Sequence, residues 1–117
     1  MVKRMVSKSY FLHLDTQKAP EFIDITDWVC NCVANSEVSN GFVVVYSKHT
    51  TAAIKINEIE PLLLKYMETF LEKFSARDGG YQHNDFSIRT VNMTPDESPN
   101  GHAHLQHLLL GTSDTIP

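Results

Sequence analysis

The chain has 117 residues, 42% hydrophobic and 21% charged, the balance of one ordinary globular domain spanning residues 1–117 rather than of a disordered segment. Its formal net charge of −4 offers no basic footprint for nucleic acid or anionic lipid, so no nucleic acid and no membrane is expected as a partner.

The stretch from Met1 to Tyr10 carries Lys3, Arg4 and Lys8 but lacks the apolar run of a signal peptide. No apolar run approaches the ~20 residues of a membrane span. A cytoplasmic protein with reduced thiols is the simplest expectation. Cys30 and Cys32 stand one residue apart, too close for an unstrained mutual disulfide, and they form no zinc knuckle by themselves. With no basic residue adjacent, they read as buried, inert thiols.

Met5 to Leu14 alternates in part between apolar and polar residues, a strand pattern that Ala19-Pro20 breaks. Asp24 or Thr26 can accept from a free helix N–H and Asp27 suits the positive end of the dipole, so a short helix is predicted here. Its apolar positions Trp28, Val29, Cys32 and Val33 share a face. After the Asn40-Gly41 turn, Phe42 to Tyr46 reads as a strand buried on both faces or nearly so. Ala52 to Ile56 resumes an extended pattern, with His49-Thr50-Thr51 at the bend between.

Glu60-Pro61 opens the clearest helix, since proline is tolerated in a first turn. Leu63, Tyr66, Met67, Phe70, Leu71 and Phe74 recur at helical spacing, as a core-packing stripe should. Tyr81 to Asn100 is largely polar and interrupted by Pro95 and Pro99, a loop long enough to be functional or mobile. Asn100 can cap a helix over Gly101 to Leu110, with Gly111 as its stop. The residues from Thr112 to Pro117 look like the start of a strand that does not arrive.

Six histidines carry the candidate chemistry. Neutral imidazole ligates zinc and related metals, and three such ligands leave an open catalytic position. On a helix His102 and His104 lie roughly 200° apart and cannot share a face, whereas His104 and His107 can. If residues 102–104 are extended, the first pair aligns instead. The bland alternative leaves each histidine, His13 included, at the surface or hydrogen-bonded in the core. Glu58 beside Asn57 can be a general base, an orienter of histidine, or a solvated charge. Glu60 reads better as a helix-start acid. Thr50 and Thr51 can donate hydroxyl hydrogen bonds to a phosphate or carboxylate, and are equally common in strands.

Several of these motifs occur together. Asp24-Ile25-Thr26, Gly41 before a Val-rich strand, His49-Thr50-Thr51-Ala52-Ala53 and Ile56-Asn57-Glu58 resemble the YjbQ-like proteins in content and order. So do Tyr81-Gln82-His83-Asn84, Asn100-Gly101-His102-Ala103-His104-Leu105 and Gly111-Thr112-Ser113 ahead of Ile116-Pro117. The likeness covers residues 20 to 117.

This resemblance implies an α+β fold with a mixed or antiparallel sheet packed with two to three helices, assembled as a homotrimer. It implies a histidine-lined pocket for a divalent metal, zinc or similar, or for an anion. It also implies weak thiamine-phosphate synthase activity on small phosphate-bearing molecules. Carried over by position, His49, His83 and His104 are the metal candidates, with Asn57 and Glu58 in support. His102 falls where the family resembles a variable position. Family members continue past the Ile-Pro element into a further strand pair, so this chain is expected to be C-terminally short. Two functions follow: an enzyme in which a histidine-bound metal orients a phosphate-bearing substrate, or a non-catalytic ligand-binding or assembly module that keeps the fold.

Overall fold

The computed structural model describes residues 4–117; Met1 to Lys3, part of the basic N-terminal stretch, lie outside them. The elements are α1 (Thr26–Ser36), β1 (Val43–Tyr46), α2 (Pro61–Phe74), a single 3₁₀ turn (Gln82–Asn84), α3 (Gly101–Leu110) and β2 (Ser113–Ile116). Three helices and an antiparallel pair, β1 against β2, make the α+β class. No helix among the described residues is long and apolar enough to cross a membrane. Two contact units divide the chain, residues 1–43 with 116–117 and residues 44–115.

In the first unit, residues 4–25 form no strand, contrary to the alternation between Met5 and Leu14. Met5, Phe11 and Leu14 are exposed, and β-propensity without a partner ladder or a covered face does not hold a strand. The helix α1 begins where Asp24 predicts it. The Asp24 carboxylate accepts from the Thr26 backbone N–H at 2.9 Å and from its hydroxyl at 2.6 Å. Both bonds hold its pKa below the ordinary aspartate value, the hydroxyl bond most. The helix ends at Glu37 in the left-handed region, φ 59°. Cys30 is exposed and Cys32 half-buried, both free, so neither is the buried thiol that was expected.

The second unit carries the candidate chemistry. Glu60 is the N-cap of α2, its carboxylate accepting from Leu62 and Leu63 N–H at 2.9 and 2.7 Å. Of the predicted core stripe only Leu71 is fully covered, at 6% exposure, while Tyr66 stands 73% exposed and Phe70 and Phe74 are also open. The periodicity located the helix correctly but not the share of its face that this chain covers. Likewise β1 is not buried on both faces: Val43 and Val45 are half-buried while Val44 and Tyr46 are exposed. A sheet of two strands leaves one face open, so burial alternates with the pleat.

The terminal segment does form a strand, β2, because β1 supplies its ladder. Residues 52–56 stay outside the sheet. Ile54 N–H reaches the Gly111 carbonyl at 3.3 Å, but Ile56 N–H is taken by the Asp114 carboxylate at 2.9 Å rather than by backbone. His49-Thr50-Thr51 is the expected bend, closed by Ala52 N–H on the His49 carbonyl.

The best-covered residues of this unit surround the C-terminal end of α2: Leu71, Ser75, Gly101, His102 and Gln106. The buried Gln106 amide donates to the Ser75 carbonyl at 3.0 Å and to the Leu71 carbonyl at 3.2 Å, the latter also accepting the Ser75 N–H, and so ties α3 to the end of α2. The Tyr81 hydroxyl donates to the Ala76 carbonyl at 2.7 Å and lies 2.7 Å from the Ser75 hydroxyl, fastening the following loop to the same helix end. Gln106→Leu should therefore lower unfolding free energy by about 1–3 kcal/mol, the cost of leaving a buried acceptor, the Ser75 carbonyl, unmet. Urea denaturation measures it, and an unchanged midpoint would show that the amide is not a tie.

Candidate functional site

The loop from Tyr81 to Asn100 is built from local turns and is fastened at both ends. Its 3₁₀ turn presents Asn84, whose carboxamide oxygen accepts from Asn100 N–H at 3.1 Å and Gly101 N–H at 2.9 Å. These are among the donors that the start of α3 leaves open. Asn100 occupies the N-cap position, as expected, but makes no side-chain cap bond. Its own carboxamide oxygen turns instead to His83 Nε2, at 3.2 Å. A Cβ added at Gly101 would come within 2.9 Å of the Tyr81 Cβ and 3.1 Å of Asn84 Oδ1. Glycine is what permits this approach of turn to helix.

The approach sets His83 beside His104, ring centroids 5.0 Å apart and edge to face. The helix over residues 101–110 resolves the alternative left open by spacing: His104 faces His83, while His102 is buried and feels Arg77 and Glu72. A carboxamide oxygen only accepts, so His83 Nε2 carries the proton and Nδ1 is left as a lone pair. His104 shares its ring N–H with the Thr50 backbone. Each ring therefore has one nitrogen committed to an oxygen and one nitrogen basic.

Both lie on an open pocket of about 770 Å³, lined also by Thr50, Gln82, Arg89 and Glu97. Arg89 donates from Nη1 to Glu97 Oε1 at 2.6 Å, and both side chains are about nine-tenths covered, at 12% and 11% exposure. The guanidinium beside Glu97 holds its carboxyl below the usual range.

Burial, then the charge of His83, then that of Arg89 push the His104 imidazole below its ordinary pKa; the Thr50 bond and Glu97 oppose this. His102 is lowered by burial first and by Arg77 second, against Glu72, and its buried Nδ1 has no partner among the described residues.

Of the other expected site residues, His49, Thr51, Asn57 and Glu58 are exposed and do not line this pocket. Asn57 accepts the Glu58 N–H at 2.8 Å. Among the described residues no group of three or more His, Cys, Asp or Glu could hold a metal ion. The chain thus brings two of its three candidate ligands together. Asn84, Asn100, Arg89 and Glu97 were not singled out by sequence as site residues. Asn100 left a signal as a helix cap and Asn84 as part of a family motif, whereas Arg89 and Glu97 left none, since a loop has no periodicity from which to read pairings.

The chain matches the family described as UPF0047 protein YjbQ-like over residues 11–117. It belongs to that family. A UPF0047 protein of Archaeoglobus fulgidus is 41% identical over 106 residues, covering 91% of this chain and 73% of that relative. One from Methanothermobacter thermautotrophicus is 38% identical over 106 residues, with 91% of this chain and 66% of the relative covered. A third, from Methanocaldococcus jannaschii, is 30% identical over 114 residues. This UPF0047 chain thus spans 66% of the length of the Methanothermobacter relative.

The two depressed imidazoles set a pH dependence. With folded values below 6.5, the unfolded chain binds more protons between those values and 6.5. Stability then rises with pH through that window and levels off above it. NMR titration should place the His102 and His104 midpoints below 6.5, with stability falling on acidification through the same range. A midpoint above that value for either ring would contradict burial as the dominant influence.

Proposed function

We propose that the loop–helix pocket is an open metal site of zinc type, with His83 and His104 as its two imidazole ligands. A small phosphate-bearing molecule supplies the remaining positions. The observation that carries this reading is the pair of rings 5.0 Å apart, each with one N–H tied to an oxygen. Metal-ligating histidines characteristically donate their second nitrogen in this way, which fixes the tautomer and raises ligand basicity.

The donor set fits a borderline-soft divalent ion as an open site. It falls short of a closed one, because His49 does not line the pocket. A metal there would supply a Lewis acid for a phosphoryl or pyrophosphoryl oxygen. The chain's own part is to hold His83 through Asn100 and His104 through Thr50, and to favour the neutral form of His104 by burial. The substrate class is small and phosphate-bearing, in line with the thiamine-phosphate synthase-like activity that the family resemblance implies, and the setting is cytoplasmic.

A second reading, assembly, is favoured by the apolar side chains left open on α2 and α3, among them Tyr66, Phe70 and Leu108. Large apolar side chains left open in this number are the raw material of an interaction face. Homotrimeric association would cover such surface, and sedimentation tests it: a trimer supports the reading and a monomer removes it.

Zinc calorimetry tests the metal reading. The unaltered protein should bind, and His83→Ala or His104→Ala should weaken binding by at least about tenfold. Asn100→Ala should weaken it by about 10–100-fold through loss of ring orientation. His49→Ala should leave affinity unchanged. Absence of binding, or affinity unchanged from that of the unaltered protein in both histidine variants, would defeat the proposal.

A further inference from the structure

Arg89 sits in the same pocket with its donor capacity incompletely used. A guanidinium has five N–H bonds to give. Nε donates to the Val91 carbonyl at 3.2 Å, Nη1 to Glu97 Oε1 at 2.6 Å and to the His83 carbonyl at 3.4 Å, and Nη2 to the Asn92 carbonyl at 2.7 Å. The second Nη2 hydrogen meets no acceptor among the described residues.

Glu97 for its part neutralises the guanidinium through one oxygen only. Its Oε2 is turned to Thr94, accepting from the backbone N–H at 3.4 Å and the hydroxyl at 3.2 Å. The contact is therefore end-on, whereas carboxylates and phosphoryl groups bind a guanidinium best through two parallel bonds. Glu97 is also held locally. Apart from Arg89, its side chain bonds only Thr94, three residues earlier in the loop, so its carboxylate can turn to solvent without breaking a helix or strand.

We propose that Arg89 is a latent phosphoryl-binding group and that Glu97 is its internal occupant. A phosphoryl oxyanion entering the pocket exchanges for the Glu97 carboxylate, taking the Nη1 hydrogen that Glu97 held together with the unspent Nη2 hydrogen. The inference rests on the pocket being a ligand site, as proposed above, but not on a metal. It names how the phosphate of the ligand is recognised and why an empty pocket presents little positive charge. Arg89 and Glu97 both act on the His104 imidazole, in opposite senses. The exchange consequently alters the electrostatic surroundings of the imidazole pair.

The test is a titration of the metal-free protein with inorganic phosphate and, separately, pyrophosphate, followed through the His83 and His104 imidazole signals. Glu97→Gln should bind either probe at least about tenfold more tightly than the unaltered chain, since it removes the competing charge and keeps the side-chain shape. Thr94→Val, which loosens the Glu97 carboxylate without changing charge, should give a smaller gain in the same direction. Arg89→Gln combined with Glu97→Gln should erase the gain. The inference is overturned if Glu97→Gln binds no more tightly, or if the gain survives in the double variant. Should Glu97→Gln fail to fold by circular dichroism, the absence of any gain in Thr94→Val overturns it. Zinc binding without a phosphate response defeats this inference alone, and a phosphate response without zinc binding defeats the metal reading alone.

Discussion

The carboxamide oxygen of Asn84, accepting two backbone N–H groups at the start of α3, is the contact on which the pocket depends. Helices usually take their N-terminal cap from the residue immediately before them. Here the oxygen comes from a turn sixteen residues earlier in the chain, so capping the helix also closes a long loop. Because Asn84 does the capping, the Asn100 side chain is free to hold His83. Because residue 101 has no Cβ, Tyr81 and Asn84 can lie against the helix start. His104, in the first turn of α3, then meets His83 edge to face. The other end of the arrangement is anchored at α2, where Gln106 and Tyr81 donate to carbonyls at and just beyond the end of that helix.

Electrostatics decides what such a pocket welcomes. Its one strong ion pair, Arg89 with Glu97, cancels itself. His104 is held neutral by burial and by the charges of His83 and Arg89, and the positive end of the α3 dipole acts in the same direction. An anion arriving at neutral pH therefore finds little free positive charge, whereas a Lewis acid finds two imidazoles with lone pairs. A phosphate-bearing ligand is compatible with this balance in two ways, through a metal it helps to coordinate or through displacement of Glu97. The two routes engage different atoms of one cavity and do not exclude each other.

Much of the fold was legible because its signals are local. Glu60-Pro61 marked the start of α2, Asp24 that of α1, and Asn100 with Gly111 bracketed α3, since caps and breakers act within a few residues. Burial was less legible. Phe42 to Tyr46 and the apolar stripe of α2 were expected in a core, yet alternate positions stand open, because hydrophobicity records a tendency to be covered and not which chain does the covering. Terminal β2 was read as no more than the start of a strand, because its signal lies in pairing with β1, which no short window contains.

The site divides along the same line. His83 and His104 could be named because histidine is conspicuous and the family motif contains both. Their meeting depends on Asn84 and Asn100, whose roles follow from three-dimensional closure. His49 was grouped with them by motif, but the bend at His49-Thr50-Thr51 brings Thr50 to the pocket while His49 stays outside its lining. Arg89 and Glu97, eight residues apart in a loop, had no periodicity to announce them.

The proposed chemistry of the pocket requires the two imidazoles to act together as ligands. Anomalous diffraction at the zinc edge, from crystals equilibrated with zinc, measures this directly. A peak within about 2.1 Å of one nitrogen of His83 and one of His104 is the expected result. Zinc bound elsewhere, with the space between those two rings empty, would contradict it.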